Sequence, residues 1–180
     1  RNPFVKAAVF HGAHQPLTIE NVDIDKPMAR AVVVRTVASG VCHSDLHFVD
    51  GLYPLPPPAI LGHEAAGIVE EVGDQVTYVK PGDHVICCLS VFCGHCEMCV
   101  SGRPALCRNP DRQRRPDQPP KLSWNGSRVT QFANLGSYAE KMLVHENAVA
   151  KIREDMPFGA AALIGCGVTT GVGAVLNTAK

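Results

Sequence analysis

The chain has 180 residues, 46% hydrophobic and 19% charged, which is enough to enclose a core and far from the composition of a disordered tail. Seventeen basic and seventeen acidic residues cancel, which argues against a nucleic-acid or polyanion binder with a strong positive field. The longest apolar runs, such as 160–165, are too short to span a bilayer, and no charged leader before an apolar run marks a secretory signal.

Sixteen glycines and fourteen prolines favour many short strands joined by sharp turns. In chain order, 4–10 and 17–24 read as strands around the turn segment 11–14, and 31–37 as a third, rich in β-branched residues. Strands follow at 65–72 and 84–89, separated by Gly73-Asp74 and by Pro81-Gly82-Asp83, and then at 138–144 and 148–152. Seven short strands with this punctuation predict a mainly β fold, a closed or partly closed barrel. Between them, 53–58 (YPLPPP) must be extended, because each proline restricts itself and its predecessor. The segment 103–121 carries six positive charges and five prolines and reads as a long surface loop, a solvated excursion or a lid. Helical character returns at 157–163 and 169–179, despite Gly171 and Gly173.

Eight cysteines would allow four disulfides, but a chain of this size builds its own core, and disulfide-dense folds are usually smaller. Spacing points to metal instead. Cys93, Cys96 and Cys99 repeat every third residue and Cys107 follows eight residues on, so the four thiolates can wrap one tetrahedral ion. Four thiolates with no vacancy describe a structural zinc site; an iron–sulfur cluster is the rival. His95, between two of them, is expected to point to solvent. Cys42, His63 and Cys166 form a dispersed second set. Two thiolates and an imidazole would leave a fourth position open, the catalytic pattern, yet a lone cysteine is commonly a small buried hydrophobe, and spacing alone cannot bring the three together. Cys87 and Cys88 follow Val85-Ile86 and read as core.

At these residues the sequence resembles the zinc-dependent medium-chain alcohol dehydrogenases. GHEAAGIVEEVG at 62–73 is similar to that family's zinc signature, and the four-cysteine lobe and GCGVTTG at 165–171 match it as well. The resemblance covers essentially the whole chain. It implies a GroES-like, partly closed β-barrel catalytic domain over 1–164 with the structural-zinc lobe at 93–107. Residues 165–180 begin the connection to a Rossmann nucleotide-binding domain that would follow Lys180.

Two zinc ions per chain are implied, one on Cys42, His63 and Cys166 and one on Cys93, Cys96, Cys99 and Cys107. Glu64 matches the acidic residue behind the catalytic zinc, and Asp45 the carboxylate oriented toward the histidine ligand. Ser44 and His47 match a proton relay. His43 falls where a basic residue meets the cofactor pyrophosphate, and Thr170 at a position near the nicotinamide. Without the family, Ser44 reads as a cap for the turn after it, and Thr170 as a cap for the last helix.

The implied reaction is reversible oxidation of an alcohol to an aldehyde or ketone with NAD, or NADP as the alternative. Tyr53 and Leu89 fall at positions that line an apolar alcohol pocket. A thiol-adduct (formaldehyde) branch of the same family is the neighbouring reading. Tyr53 and Asp111 stand where that branch has its anion-holding residues, which argues against glutathione, though Arg108, Arg112, Arg114 and Arg115 leave another anionic substrate open. A non-catalytic zinc-stabilised barrel is the reading from another class. No G-x-G-x-x-G fingerprint follows a strand, so these residues alone are expected to be inactive. The resemblance implies a small-molecule substrate, no nucleic acid or membrane partner, a full-length homodimer or homotetramer, and the reducing cytoplasm.

Overall fold

The computed structural model describes residues 4–179, apart from the side chain of Asp111. In chain order the strands and helices are β1 (Phe4–Phe10), β2 (Thr18–Ile24), β3 (Ala31–Gly40), α1 (His43–Val49), β4 (Ala59–Ile60), β5 (Glu64–Val72), β6 (His84–Cys87) and α2 (Glu97–Val100). There follow β7 (Leu122–Trp124), β8 (Ser127–Arg128), β9 (Thr130–Gln131), β10 (Lys141–His145), β11 (Val149–Lys151), α3 (Phe158–Ala162) and α4 (Gly167–Asn177). One sheet runs β8-β7-β2-β1-β4-β9 and is nearly closed; the other runs β10-β3-β5-β6-β11. The mainly β, partly closed barrel expected from the sequence is the fold observed.

β3 shows why its valines run consecutively. Successive side chains on a strand point to opposite faces, and both faces of β3 are covered. Val32 and Val34 pack with Val69, Val85, Met142 and Val144, while Val33 faces Val5, Val22, Ile60 and Leu143 of the other cluster. All three valines are fully buried, each stabilising the fold by about 1.5–3 kcal/mol.

Each of the seven expected strands is present, β1 with the expected ends and the others with ends shifted by up to three residues; β10 starts at Lys141 rather than 138. Four strands of two or three residues were missed, too short for alternation to be read. One carried a legible signal: β7 and β8 are joined through Asn125-Gly126, both at positive φ, the two-residue hairpin that Asn-Gly favours. Cys88 needs a correction, since β6 stops at Cys87 and Cys88 is half-buried beyond it. The 103–121 loop is not free of the body: Arg114 reaches Asp25 at 2.5 Å and the Lys26 carbonyl at 3.0 Å.

Glu146 ties the barrel to the cysteine lobe. It is 1% exposed and accepts from Arg30 Nε at 2.5 Å and from the Thr77 and Tyr78 amides at 3.3 Å, while Arg30 Nη1 also donates to the Cys93 carbonyl at 3.4 Å. Burial works against the charge, but Arg30 and the two amides outweigh it and hold the carboxyl below its ordinary 4.5. Stability from a depressed carboxyl is present above 4.5 and drains as pH falls through the folded value. Arg30 is 41% exposed, so solvent screens part of the ion pair's contribution. Glu146→Gln is expected to cost about 1–3 kcal/mol in urea unfolding at neutral pH, with the gap to wild type narrowing toward acid. A gap that stays constant with pH would assign the loss to packing rather than charge.

Candidate metal centres and active site

Strand register brings the dispersed residues together. β3 and β5 are antiparallel with Gly40 opposite Glu64, so Cys42, just past the end of β3, and His63, just before β5, emerge at one end of the sheet. β6 pairs with β5, Ala66 opposite Ile86, which brings Cys87 to the same end. Gly165 then packs on the Cys87 carbonyl so closely that a Cβ there would overlap it, and Cys166 follows into the gap. Donor atoms of Cys42, His63, Glu64 and Cys166 all lie within 4.8 Å of one another.

Asp45 organises this cluster. It is 2% exposed, and its carboxylate accepts from the Gly62 amide at 3.0 Å, the Tyr138 hydroxyl at 3.0 Å and the Cys42 amide at 3.2 Å. His63 Nδ1 lies 3.3 Å from it, which places the proton on Nδ1 and leaves a lone pair on Nε2. Burial opposes the Asp45 charge, but His63, the Gly62 amide and Tyr138 hold it below its ordinary value, and Asp45 in turn raises His63. Gly62 sits at φ +88°, where a side chain would also collide with Ser137 and the Tyr138 ring.

Cys42 is the N-cap of α1, and Asp45 closes back on its amide; Ser44 is therefore the second helical residue and not the cap. Burial raises the Cys42 thiol, but the Ser44 amide and hydroxyl, His63 and Cys166 bring it below 9.0. Cys166, 4.0 Å away, is pushed up to about 12 by burial and then by Cys42. Both sulfurs ionise together when a cation sits between them. Asp45→Asn keeps the shape and removes the charge that fixes His63. It is expected to weaken zinc affinity at this cluster about 10–100-fold in chelator competition, with the four-cysteine lobe unaffected.

In that lobe, Cys93, Cys96, Cys99 and Cys107 also have all sulfurs within 4.8 Å of one another. Three of the sulfur pairs are 3.5, 3.8 and 3.9 Å apart. The edge of a tetrahedron with ~2.3 Å metal–sulfur bonds is about 3.8 Å, so the set fits one ion, whereas a multi-iron cluster holds its thiolates farther apart. The Cys93 and Cys96 amides each approach a neighbouring sulfur at 3.4 Å. Burial opposes ionisation of Cys107, but the Cys93 and Asn109 amides outweigh it and bring the thiol to about 6, while burial and its neighbours push Cys99 up to about 11. His95 is exposed and outside the sulfur set, with its ring near the Cys93 carbonyl and Asn109.

Ser44 Oγ lies 3.6 Å from Cys42 Sγ. His47, three residues on, stacks edge-on with His43 at 4.8 Å and with Tyr53 at 5.3 Å. Leu89 is 38% exposed beyond β6. Thr170 lies exposed in the first turn of α4 and donates its amide to the Cys166 carbonyl; Cys166 itself is the cap, which corrects the capping expectation for Thr170. Two residues at the site were missed: Tyr138, bonded to Asp45, and Phe132, whose ring stands edge-on to His63 at 5.4 Å and packs on Phe48 at 4.6 Å. In the sequence Tyr138 reads as the first residue of a strand, and no local signal marks either one.

Comparison with known proteins agrees with this geometry. The family model of the alcohol dehydrogenase GroES-like domain matches residues 28–154. A protein named alcohol dehydrogenase class-3 from Oryza sativa subsp. japonica is 41% identical, across 97% of this chain and 48% of its own length. An alcohol dehydrogenase zinc-binding domain protein from Burkholderia ambifaria superposes at a TM-score of 0.86 with 38% identity, over 97% of this chain and 49% of that one. Benzyl alcohol dehydrogenase from Acinetobacter calcoaceticus gives 0.85 and 35%, over 98% and 49%. The chain thus spans about half the length of the relatives it matches. By sequence, fold and donor sets alike, it belongs to the zinc-dependent medium-chain alcohol dehydrogenase family.

Proposed function

We propose that these residues form the alcohol-binding catalytic domain of a zinc-dependent, NAD(P)-linked alcohol dehydrogenase that interconverts an alcohol with an aldehyde or ketone. The observation that carries this reading is the convergence of Cys42, His63, Glu64 and Cys166 from separate parts of the chain. A zinc ion held by Cys42, His63 and Cys166 supplies a Lewis acid that acidifies a hydroxyl and polarises a carbonyl. NAD(P) supplies the hydride acceptor, with the exposed His43 and Thr170 as this chain's groups toward it.

Asp45 holds the His63 tautomer, and Tyr138 holds Asp45. Glu64, 5% exposed beside the donors, is poised to exchange with them. Ser44 accepts and donates a proton at one oxygen, and His47 offers an imidazole three residues on. No direct hydrogen bond joins the two among the described residues, so a proton passing between them needs a bridging hydroxyl or water. Phe48, Tyr53 and Phe132 give the apolar wall that favours an alcohol with a hydrocarbon body. The reading includes a second, structural zinc in the cysteine lobe, a homodimeric or homotetrameric full-length protein and a reducing, cytoplasmic setting, in keeping with eight free thiols. No single helix among the described residues is long and apolar enough to cross a membrane.

The test supplies the full-length protein with NAD or NADP and a panel of primary alcohols, benzyl alcohol and an S-hydroxymethyl thiol, and follows nicotinamide reduction alongside zinc content. Alcohol-dependent reduction with about two zinc ions per chain is expected. Zinc without turnover of any substrate would leave a non-catalytic zinc module, and a strong preference for the thiol adduct would move the reading to that branch.

A further inference from the structure

A cavity of about 340 Å³ opens beside the cysteine lobe. Its walls come from the segment between β2 and β3 with the start of β3, from the lobe through Cys93 and His95, from the 112–121 loop, and from Gln75 and His145. None of Cys42, His63, Glu64 and Cys166 lines it, so three of the four loop arginines noted in the sequence face a place apart from the catalytic donors. Among its described lining residues are Arg30, Arg112, Arg114, Arg115 and Lys121, and no carboxylate.

Three of these cations are already compensated. Arg30 is paired with Glu146 and Arg114 with Asp25, both at 2.5 Å, and Arg115 with Asp117 at 3.3 Å. Arg112 and Lys121 have no ion-pair partner among the described residues. Nearby groups feel these cations in addition to their own burial: burial and then Arg114 lower Lys121 to about 8, and burial and then Arg30 lower His145 to about 4, against Glu146 and with Lys121 adding to the effect. Cations drawn into a protein without partners are costly, and a concave site of this size lined by guanidinium and ammonium groups has the donors that compact oxyanions require.

We propose that this cavity binds a compact multivalent oxyanion, a phosphate-bearing or polycarboxylate small molecule, with Lys121 and Arg112 as its charge partners. Gln113 and Gln118 offer neutral amide donors from the same loop. Because its walls include both the 112–121 loop and the cysteine lobe, the bound anion links the two and slows zinc loss from the lobe.

The test titrates inorganic phosphate, pyrophosphate and citrate into the zinc-loaded full chain by calorimetry, with sodium chloride at matched ionic strength as the blank. Saturable binding of at least one anion is expected, weakened about tenfold by Lys121→Gln and by Arg112→Gln. It should be retained in Lys121→Arg and untouched by Arg103→Gln, which lies outside the cavity. Chelator-driven zinc release should slow in the presence of the bound anion. Tighter pyrophosphate than citrate assigns a phosphoryl ligand, and the reverse order a polycarboxylate. Arg112→Gln decides alone should the Lys121 variant fail to fold. No saturable binding by any of the three, or binding that both glutamine variants leave unchanged, overturns the proposal.

Discussion

Cys166→Ala is expected to take one zinc from each chain and to lower kcat/KM for alcohol oxidation by about a thousandfold or more. Catalytic zinc sites are held by three protein ligands, and this substitution leaves Cys42 and His63 with Glu64 behind them. Losing the Lewis acid removes several kcal/mol of transition-state stabilisation, and each ~1.4 kcal/mol is a factor of ten. The fold should survive, because Cys166 follows the packed Gly165 and α3, whose Ala161 and Ala162 remain buried against Ala66. Cys87→Ala is the control. Cys87 is buried in the core, its thiol pushed up to about 12 by burial and then by Cys88, and it belongs to neither donor set. That variant should keep both ions. Elemental analysis with steady-state kinetics of the full-length protein checks both variants; a Cys166→Ala protein that retains its zinc and its rate would sink the assignment.

The two candidate metal sites differ in how far the sequence exposes them, and the reason is physical. The lobe's four cysteines lie within fifteen residues, so spacing alone states a tetrahedral site, and the observed sulfur separations agree. Cys42, His63 and Cys166 span 124 residues, and they meet through the β3–β5 register and the seating of Gly165 on β6. A non-local register is not written in any local pattern, which is why a family resemblance was needed to name them. Every described strand of four residues or more was legible, β3 most plainly because both its faces are buried, whereas of those with two or three residues only β11 was. Tyr138 and Phe132 escaped because their roles arise from contacts with α1 and with the residue before β5.

The same distinction predicts what metal loss does to the lobe. It has little core of its own: Val100 is 72% exposed and Leu106 55%. α2 has four residues, well below the length at which a helix sustains itself. What closes the lobe is the sulfur cluster, together with the Asn147 side chain on the Phe92 carbonyl at 2.8 Å and Arg30 on that of Cys93. Cys107→Ala removes a sulfur that is buried and bonded by the Cys93 amide. It should therefore cost one zinc per chain and open 94–106 while the sheets stay closed. Hydrogen exchange at the Cys93 and Cys96 amides, both held on sulfur, should accelerate at least about a hundredfold, with little change at β3 or β5 amides. The zinc at Cys42, His63 and Cys166 should remain. Uniform loss of protection across both sheets would instead make the lobe part of the barrel's own cooperative unit, and unchanged exchange with two ions retained would remove Cys107 from the metal site.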